Sequence, residues 1–81
     1  MRLTFRQLAE MIGGELIAGG ELVTESVVID SREVKSDSVF FAIQGERLDG
    51  HQFLAAALAT ARGAVVSAVP ESLPAERAII R

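Results

Sequence analysis

Apolar residues recur at three- and four-residue spacing over Phe5, Leu8, Met11 and Ile12, and the pattern breaks at Gly13-Gly14. That spacing gathers them on one stripe of an α-helix. Thr4 and Gln7 stand three apart at its start. The hydroxyl can accept from the Gln7 amide while the Gln7 side chain reaches back, which predicts a helix over 4–11 with a capping box. Leu3 and Leu8 occupy the positions of a hydrophobic staple. The glycine pair stops the helix, because glycine enters the left-handed conformation cheaply. The plain role for such a helix is to cover a core.

Beyond it the apolar runs shorten. Glu15-Leu16-Ile17-Ala18 predicts a strand, Gly19-Gly20 a turn, and residues 21–26 a connector or an edge strand. Val27-Val28-Ile29 is β-branched throughout and predicts a buried strand. Val34 to Ser38 has turn composition. Val39 to Ile43 is apolar throughout, as suits a central strand covered on both faces. A second helix is predicted from Asp49 or Gly50 to Arg62. Asp49 and Gln52 have capping-box spacing, and Phe53, Ala56 or Ala57, and Leu58 or Ala61 supply the buried face. Gly63 is its expected stop. Ala64 to Ser67 and Ala78-Ile79-Ile80 are further strands, separated by a loop from Pro70 to Pro74. Strand, helix and strand between Val39 and Ser67 make a βαβ unit. The predicted class is α/β, with α+β as the other possibility: a small mixed sheet of roughly four or five strands and two main helices.

Composition narrows the function. The chain has 81 residues, 49% of them hydrophobic, and a net charge of −3. A domain this small buries only ~60% of its unfolded surface, and the chain ends on a fresh strand, so a larger parent protein is expected. Basic residues are scattered and Lys35 is the single lysine, which leaves no footprint for nucleic acid. There is no apolar run of membrane-spanning length, and the start lacks the apolar core of a signal peptide. Cytoplasmic localisation is expected. Without cysteine, and with His51 as the single histidine, no metal site is expected.

Candidate chemistry collects in the loops after the two apolar runs that end at Ile29 and Ile43. Ligands of open α/β sheets bind beyond the strand ends, so both loops could frame one pocket. In Asp30-Ser31-Arg32, Ser31 can donate to an anionic ligand and Arg32 can support its charge. Equally, Asp30 can cap the turn and pair with Arg32. In Gly45-Glu46-Arg47-Leu48-Asp49-Gly50, Gly45 lets backbone amides approach a planar or phosphate group, with the helix N-terminus behind. The plain alternative is a turn glycine and an Asp49 cap, and that cap would occupy the amides an anion wants. The spacing matches neither the ATPase phosphate loop nor the dinucleotide fingerprint. His51 reads as a polar contact at the helix start. Phe40, Phe41 and Phe53 could stack on a base or belong to the core. No catalytic residue is expected within the chain.

Order and spacing together add to this. Ile29-Asp30-Ser31-Arg32-Glu33-Val34, a turn, then Val39 to Phe53 ending in Gly45-Glu46-Arg47-Leu48-Asp49-Gly50-His51-Gln52-Phe53, an alanine-rich helix, and Gly63-Ala64-Val65-Val66 closely resemble the N-terminal domain of the Mur ligases. The opening Leu-Thr and the later Gly13-Gly14 fit as well. The Gly-Glu-Arg-Leu-Asp-Gly-His string favours the member that adds D-alanyl-D-alanine over the sister that adds the third amino acid of the peptide. The resemblance implies a domain that holds the UDP part of a UDP-N-acetylmuramoyl-peptide. It also implies a central domain binding ATP and magnesium and a C-terminal domain, both absent from this stretch. The reaction would pass through an acyl phosphate that the incoming amine attacks. By the same resemblance Ser31 would contact the uridine diphosphate with Arg32 beside it. Gly45, Glu46, Arg47 and Leu48 would line the uracil side, with Asp30, Asp49 and His51 as loop support. No cofactor is expected in these 81 residues, since the glycine-lysine loop for ATP is not among them. Ser36-Asp37-Ser38 departs from the Pro-Gly-Asp that relatives often have there. A freestanding module that binds a nucleotide or a partner protein is the alternative from another class.

Overall fold

The structure, a computed structural model, describes residues 1–45 and 49–81. The expectations for Glu46, Arg47 and Leu48 therefore lie outside the described residues. Strand β1 (Leu3–Thr4) leads into helix α1 (Phe5–Ile12). The predicted capping box forms in full. Gln7 N donates to Thr4 Oγ1 at 3.1 Å and Thr4 N donates to Gln7 Oε1 at 2.9 Å. Such a cap contributes about 1 kcal/mol. Gly13 ends the helix in the left-handed region, at φ 70°. Phe5, Leu8 and Ala9 are buried, whereas Met11 and Ile12 are exposed and do not extend the buried face.

Strands β2 (Leu16–Ala18), β3 (Val23–Thr24), β4 (Ser26–Val28), β5 (Ser38–Phe41), β6 (Gly63–Val65) and β7 (Ala78–Ile80) follow, with helix α2 (Leu54–Leu58) between β5 and β6. A five-stranded sheet has the order β2-β7-β6-β5-β4, and β1 pairs with β3 in a separate two-stranded ribbon. Strands β4, β5, β6 and β7 run parallel, while β2 pairs antiparallel with β7. The mixed sheet and its βαβ unit are as the sequence predicts.

Alternation along the strands builds a core on each face of the sheet. Phe40, Ala64 and Ile79 point to one face with Leu54, Ala57, Leu58 and Ala61 of the α2 region. Val39, Ala78 and Ile80 point to the other with Phe5, Leu8 and Ala9 of α1. Successive residues of a strand face opposite ways, so a sheet with a helix on each side needs the nearly continuous apolar runs seen here.

Several expectations are corrected. Val27-Val28-Ile29 is not a buried strand: β4 is the sheet's outer strand, Val27 is half exposed and Ile29 lies beyond the strand end, 66% exposed. β5 closes at Phe41, and Ile43 is exposed. The second helix opens as a 3-10 turn over Gly50–Phe53 before α2 begins. Its buried face is Leu54, Ala57, Leu58 and Ala61, so Phe53 and Ala56 fall outside it. Asp49 and Gln52 make no capping box; Asp49 Oδ1 accepts instead from His51 N at 2.9 Å. Gly63 opens β6 rather than only stopping a helix. A Cβ there would lie 2.5 Å from Ala78 O and 2.8 Å from Phe5 Cε2. The turn at Ser36-Asp37-Ser38 holds without glycine, because Lys35 N donates to Ser38 Oγ at 2.9 Å and Ser38 Oγ also meets Ser26 Oγ at 2.9 Å. Arg77 closes the other end of α2, with Nε donating to Leu58 O at 2.8 Å.

Candidate functional site

Four parallel strands deliver their following loops to one edge of the sheet. The register pairs Val28 with Phe40 and Phe40 with Ala64. Neighbouring strands lie ~4.8 Å apart, so the exits of β4, β5 and β6 stand side by side. This is the crevice beyond the strand ends where open α/β sheets take ligands.

The exit of β4 forms a single 3-10 turn, Ser31–Glu33. Asp30 caps it, with Oδ1 accepting from Arg32 N at 2.9 Å. The same carboxylate takes one edge of the Arg32 guanidinium: Nε at 3.0 Å and Nη2 at 2.7 Å. The structural alternative for this triplet is therefore realised. It does not exhaust the arginine, whose side chain is 87% exposed and keeps the donors of Nη1 outside the pair. Ser31 is half-buried. Ile29, Asp30, Ser31 and Arg32 line an open cleft of about 640 Å³ together with Phe53 from the loop that follows β5. The cleft thus lies between the β4 exit and the start of the second helix, and Gly45 is not in its lining.

The exit of β5 turns back at once. Gly50 N donates to Ile43 O at 2.8 Å, and Gln44 and Asp49 form an antiparallel bridge that closes the base of the 45–48 loop. Gly45 is exposed at its described edge. The His51 amide at the start of the second helix is not free, because Asp49 Oδ1 accepts from it. Of the two readings offered for that helix start, the structure shows the Asp49 cap.

Asp49 and His51 do more than support the loop. Asp49 Oδ1 meets His51 Nδ1 at 2.6 Å, and His51 Nε2 lies 3.1 Å from Ser67 N. A backbone amide can only donate, so Nε2 accepts and the ring proton sits on Nδ1, toward Asp49. The clasp ties the exit of β5 to the exit of β6. Sequence reasoning missed Ser67, since its partner is 16 residues away and joins through a main-chain group. His51 does not line the Ser31 cleft. It faces a separate cavity of about 340 Å³ with Leu54, Leu58 and Pro70.

Hydrogen bonds hold both carboxyls in the charged form. The Arg32 side chain, then its amide, pulls Asp30 down to about 2. The His51 amide, then its ring, lowers Asp49. A carboxyl depressed in the folded state stabilises the fold above its ordinary value, near ~4, and that contribution is lost as pH falls through the folded value. In a carbon-detected titration the Asp30 carboxyl is expected to move at about pH 2, and Arg32→Ala is expected to raise it part of the way toward ~4, because the residue-32 amide still donates to Oδ1. An unchanged titration in that variant would remove the pair as its cause.

No three His, Asp or Glu side chains converge among the described residues. Lys35 follows Val34, so the chain contains no glycine-lysine phosphate loop.

The sequence model described as "Mur ligase family, catalytic domain" matches residues 24–79. The UDP-N-acetylmuramoyl-tripeptide--D-alanyl-D-alanine ligase of Mycobacterium leprae is 39% identical over 79 residues, covering 90% of this chain and 15% of the relative. The UDP-N-acetylmuramoyl-L-alanyl-D-glutamate--2,6-diaminopimelate ligase of Haemophilus influenzae is 43% identical over 47 residues, but covers 58% of this chain and 10% of the relative. Among solved structures, MurF from Acinetobacter baumannii superposes with a TM-score of 0.83 at 26% identity, over 99% of this chain and 18% of that one. The chain thus spans less than a fifth of the proteins it matches.

Proposed function

Because this chain belongs to the Mur ligase family, we propose that it docks the uridine diphosphate end of UDP-N-acetylmuramoyl-tripeptide. It does so as the N-terminal domain of a cytoplasmic, ATP-dependent ligase that adds D-alanyl-D-alanine during peptidoglycan precursor synthesis. The observation that carries the reading is the cleft between the β4 exit and the start of the second helix, lined by Ser31, Arg32 and Phe53. Ser31 offers a hydroxyl to a phosphate oxygen. Arg32 offers its free edge and, because Asp30 cancels much of its charge, orients the diphosphate more than it attracts it. Contacts with the uracil are assigned to Gly45, Glu46, Arg47 and Leu48. The remainder of the polypeptide supplies ATP, magnesium and the amide-forming chemistry. Dipeptide addition is favoured over third-residue addition by the span of the matches, 90% of the chain against 58%.

Titrating the 81-residue chain with UDP tests this. Amide signals of Ser31 to Glu33 and of Gly45 to Leu48 are expected to move together and saturate. Movement confined to scattered surface residues would refute docking.

A further inference from the structure

The chain has four phenylalanines, and three have a structural use. Phe5 and Phe40 are fully buried, and Phe41 is half-buried against the α1 side of the core. Phe53 differs, being 40% exposed. The cause is local. The core-facing stripe of the α2 region runs through Leu54, Ala57, Leu58 and Ala61, at spacings of three, four and seven. Phe53 precedes that stripe by one position and closes the 3-10 turn, so it falls outside the stripe. Its ring is carried to the side where the β4 exit lies.

There it faces an unusual set of neighbours. Ile29 is 66% exposed and lines the same cleft, so one part of the wall is apolar and aromatic. Ser31 and Arg32 line another part and are polar. A hollow that is apolar at one side and offers hydroxyl and guanidinium donors at the other fits a ligand with a flat, weakly polar part joined to an anionic part. A nucleotide has that form. A sugar alone lacks the flat face, and inorganic phosphate lacks the apolar part. Phenylalanine presents its π-face without a hydrogen-bonding group, so it recognises a base by stacking.

We propose that Phe53 is the platform on which the pyrimidine base stacks, with Ile29 as the opposing apolar wall and the phosphates directed toward Ser31 and Arg32. The proposal rests on the docking reading and adds to it a residue outside the Gly45 to Leu48 loop. Phe53 contributes affinity through its ring, whereas Ser31 and Arg32 discriminate the anionic end.

The test uses the 81-residue chain with UDP and with uridine as probes, and the variants Phe53→Leu and Phe53→Trp. Stacking predicts upfield ring-current shifts of the uracil H5 and H6 protons, given by uridine as well as by UDP. Phe53→Leu should weaken UDP by about 5- to 150-fold, the usual range for loss of one base stack, and abolish the shifts. Phe53→Trp should retain both. Since Phe53 lies outside the core, both variants are expected to melt within a few degrees of the parent. If UDP moves the Ser31 amide while H5 and H6 stay in place and Phe53→Leu binds equally well, the platform is refuted and docking stands. If UDP leaves the Ser31 region unmoved, docking and platform fall together. Should Phe53→Leu lose its fold, Phe53→Trp and the uracil proton shifts in the parent still decide the matter.

Discussion

Phe40→Ala is expected to leave the chain barely folded at 25 °C. Phe40 is fully buried in β5, with the α2 region packed over its ring and β4 and β6 on either side. Truncating a buried phenylalanine costs about 3–5 kcal/mol, from lost transfer energy and from the cavity left behind. Domains are stable by about 5–15 kcal/mol, and one of 81 residues lies toward the low end because it buries little surface. The loss therefore consumes most of what holds the fold. Urea unfolding followed by circular dichroism measures it: the midpoint should fall toward zero denaturant with the slope unchanged. A loss under ~1 kcal/mol would mean that the α2 side of the sheet collapses to fill the space, against the close packing usual in protein interiors.

Gly50→Ala has the next largest expected effect, and it acts at the candidate site. A Cβ on Gly50 would lie 2.7 Å from Ile43 N and 3.0 Å from both the carbonyl carbon and the Cα of Ala42. All three are backbone atoms, so no rotamer change can relieve the clash. The chain must instead part where Gly50 N donates to Ile43 O and where Gln44 pairs with Asp49. Overpacking of this kind costs about 1–3 kcal/mol. The distinctive result is its location. Amide exchange should speed up at Gly50 and His51 before it does in β6 or β7, and UDP should bind more weakly than the stability loss alone predicts. Uniform acceleration across the sheet, with UDP affinity intact, would separate the loop base from ligand binding.

Gly50 also shows where sequence reasoning stops. Its value as a turn glycine could be read from Asp49-Gly50, but the reason no side chain is tolerated is the Ala42 and Ile43 backbone folded against it. Phe53 teaches the same lesson from the other direction. Its spacing to Ala57 and Ala61 predicts a buried ring. Starting the helix as a 3-10 turn shifts the stripe by one residue and leaves that ring in the cleft.

The sequence by itself determined the local structure: the Thr4 capping box, the Gly13 stop, the turns, the apolar runs and the βαβ order. Each depends on residues within a few positions of one another, where spacing and backbone preference act directly. It also carried the family resemblance, because that lies in the order of short motifs. Only the tertiary structure decided which strand lies outermost, that Arg32 spends one of its edges on Asp30, that His51 clasps Ser67, and which of four phenylalanines remains open to a ligand. Those outcomes depend on which segments the sheet brings side by side, and strand order is set by the competition of long-range pairings rather than by any single stretch of chain.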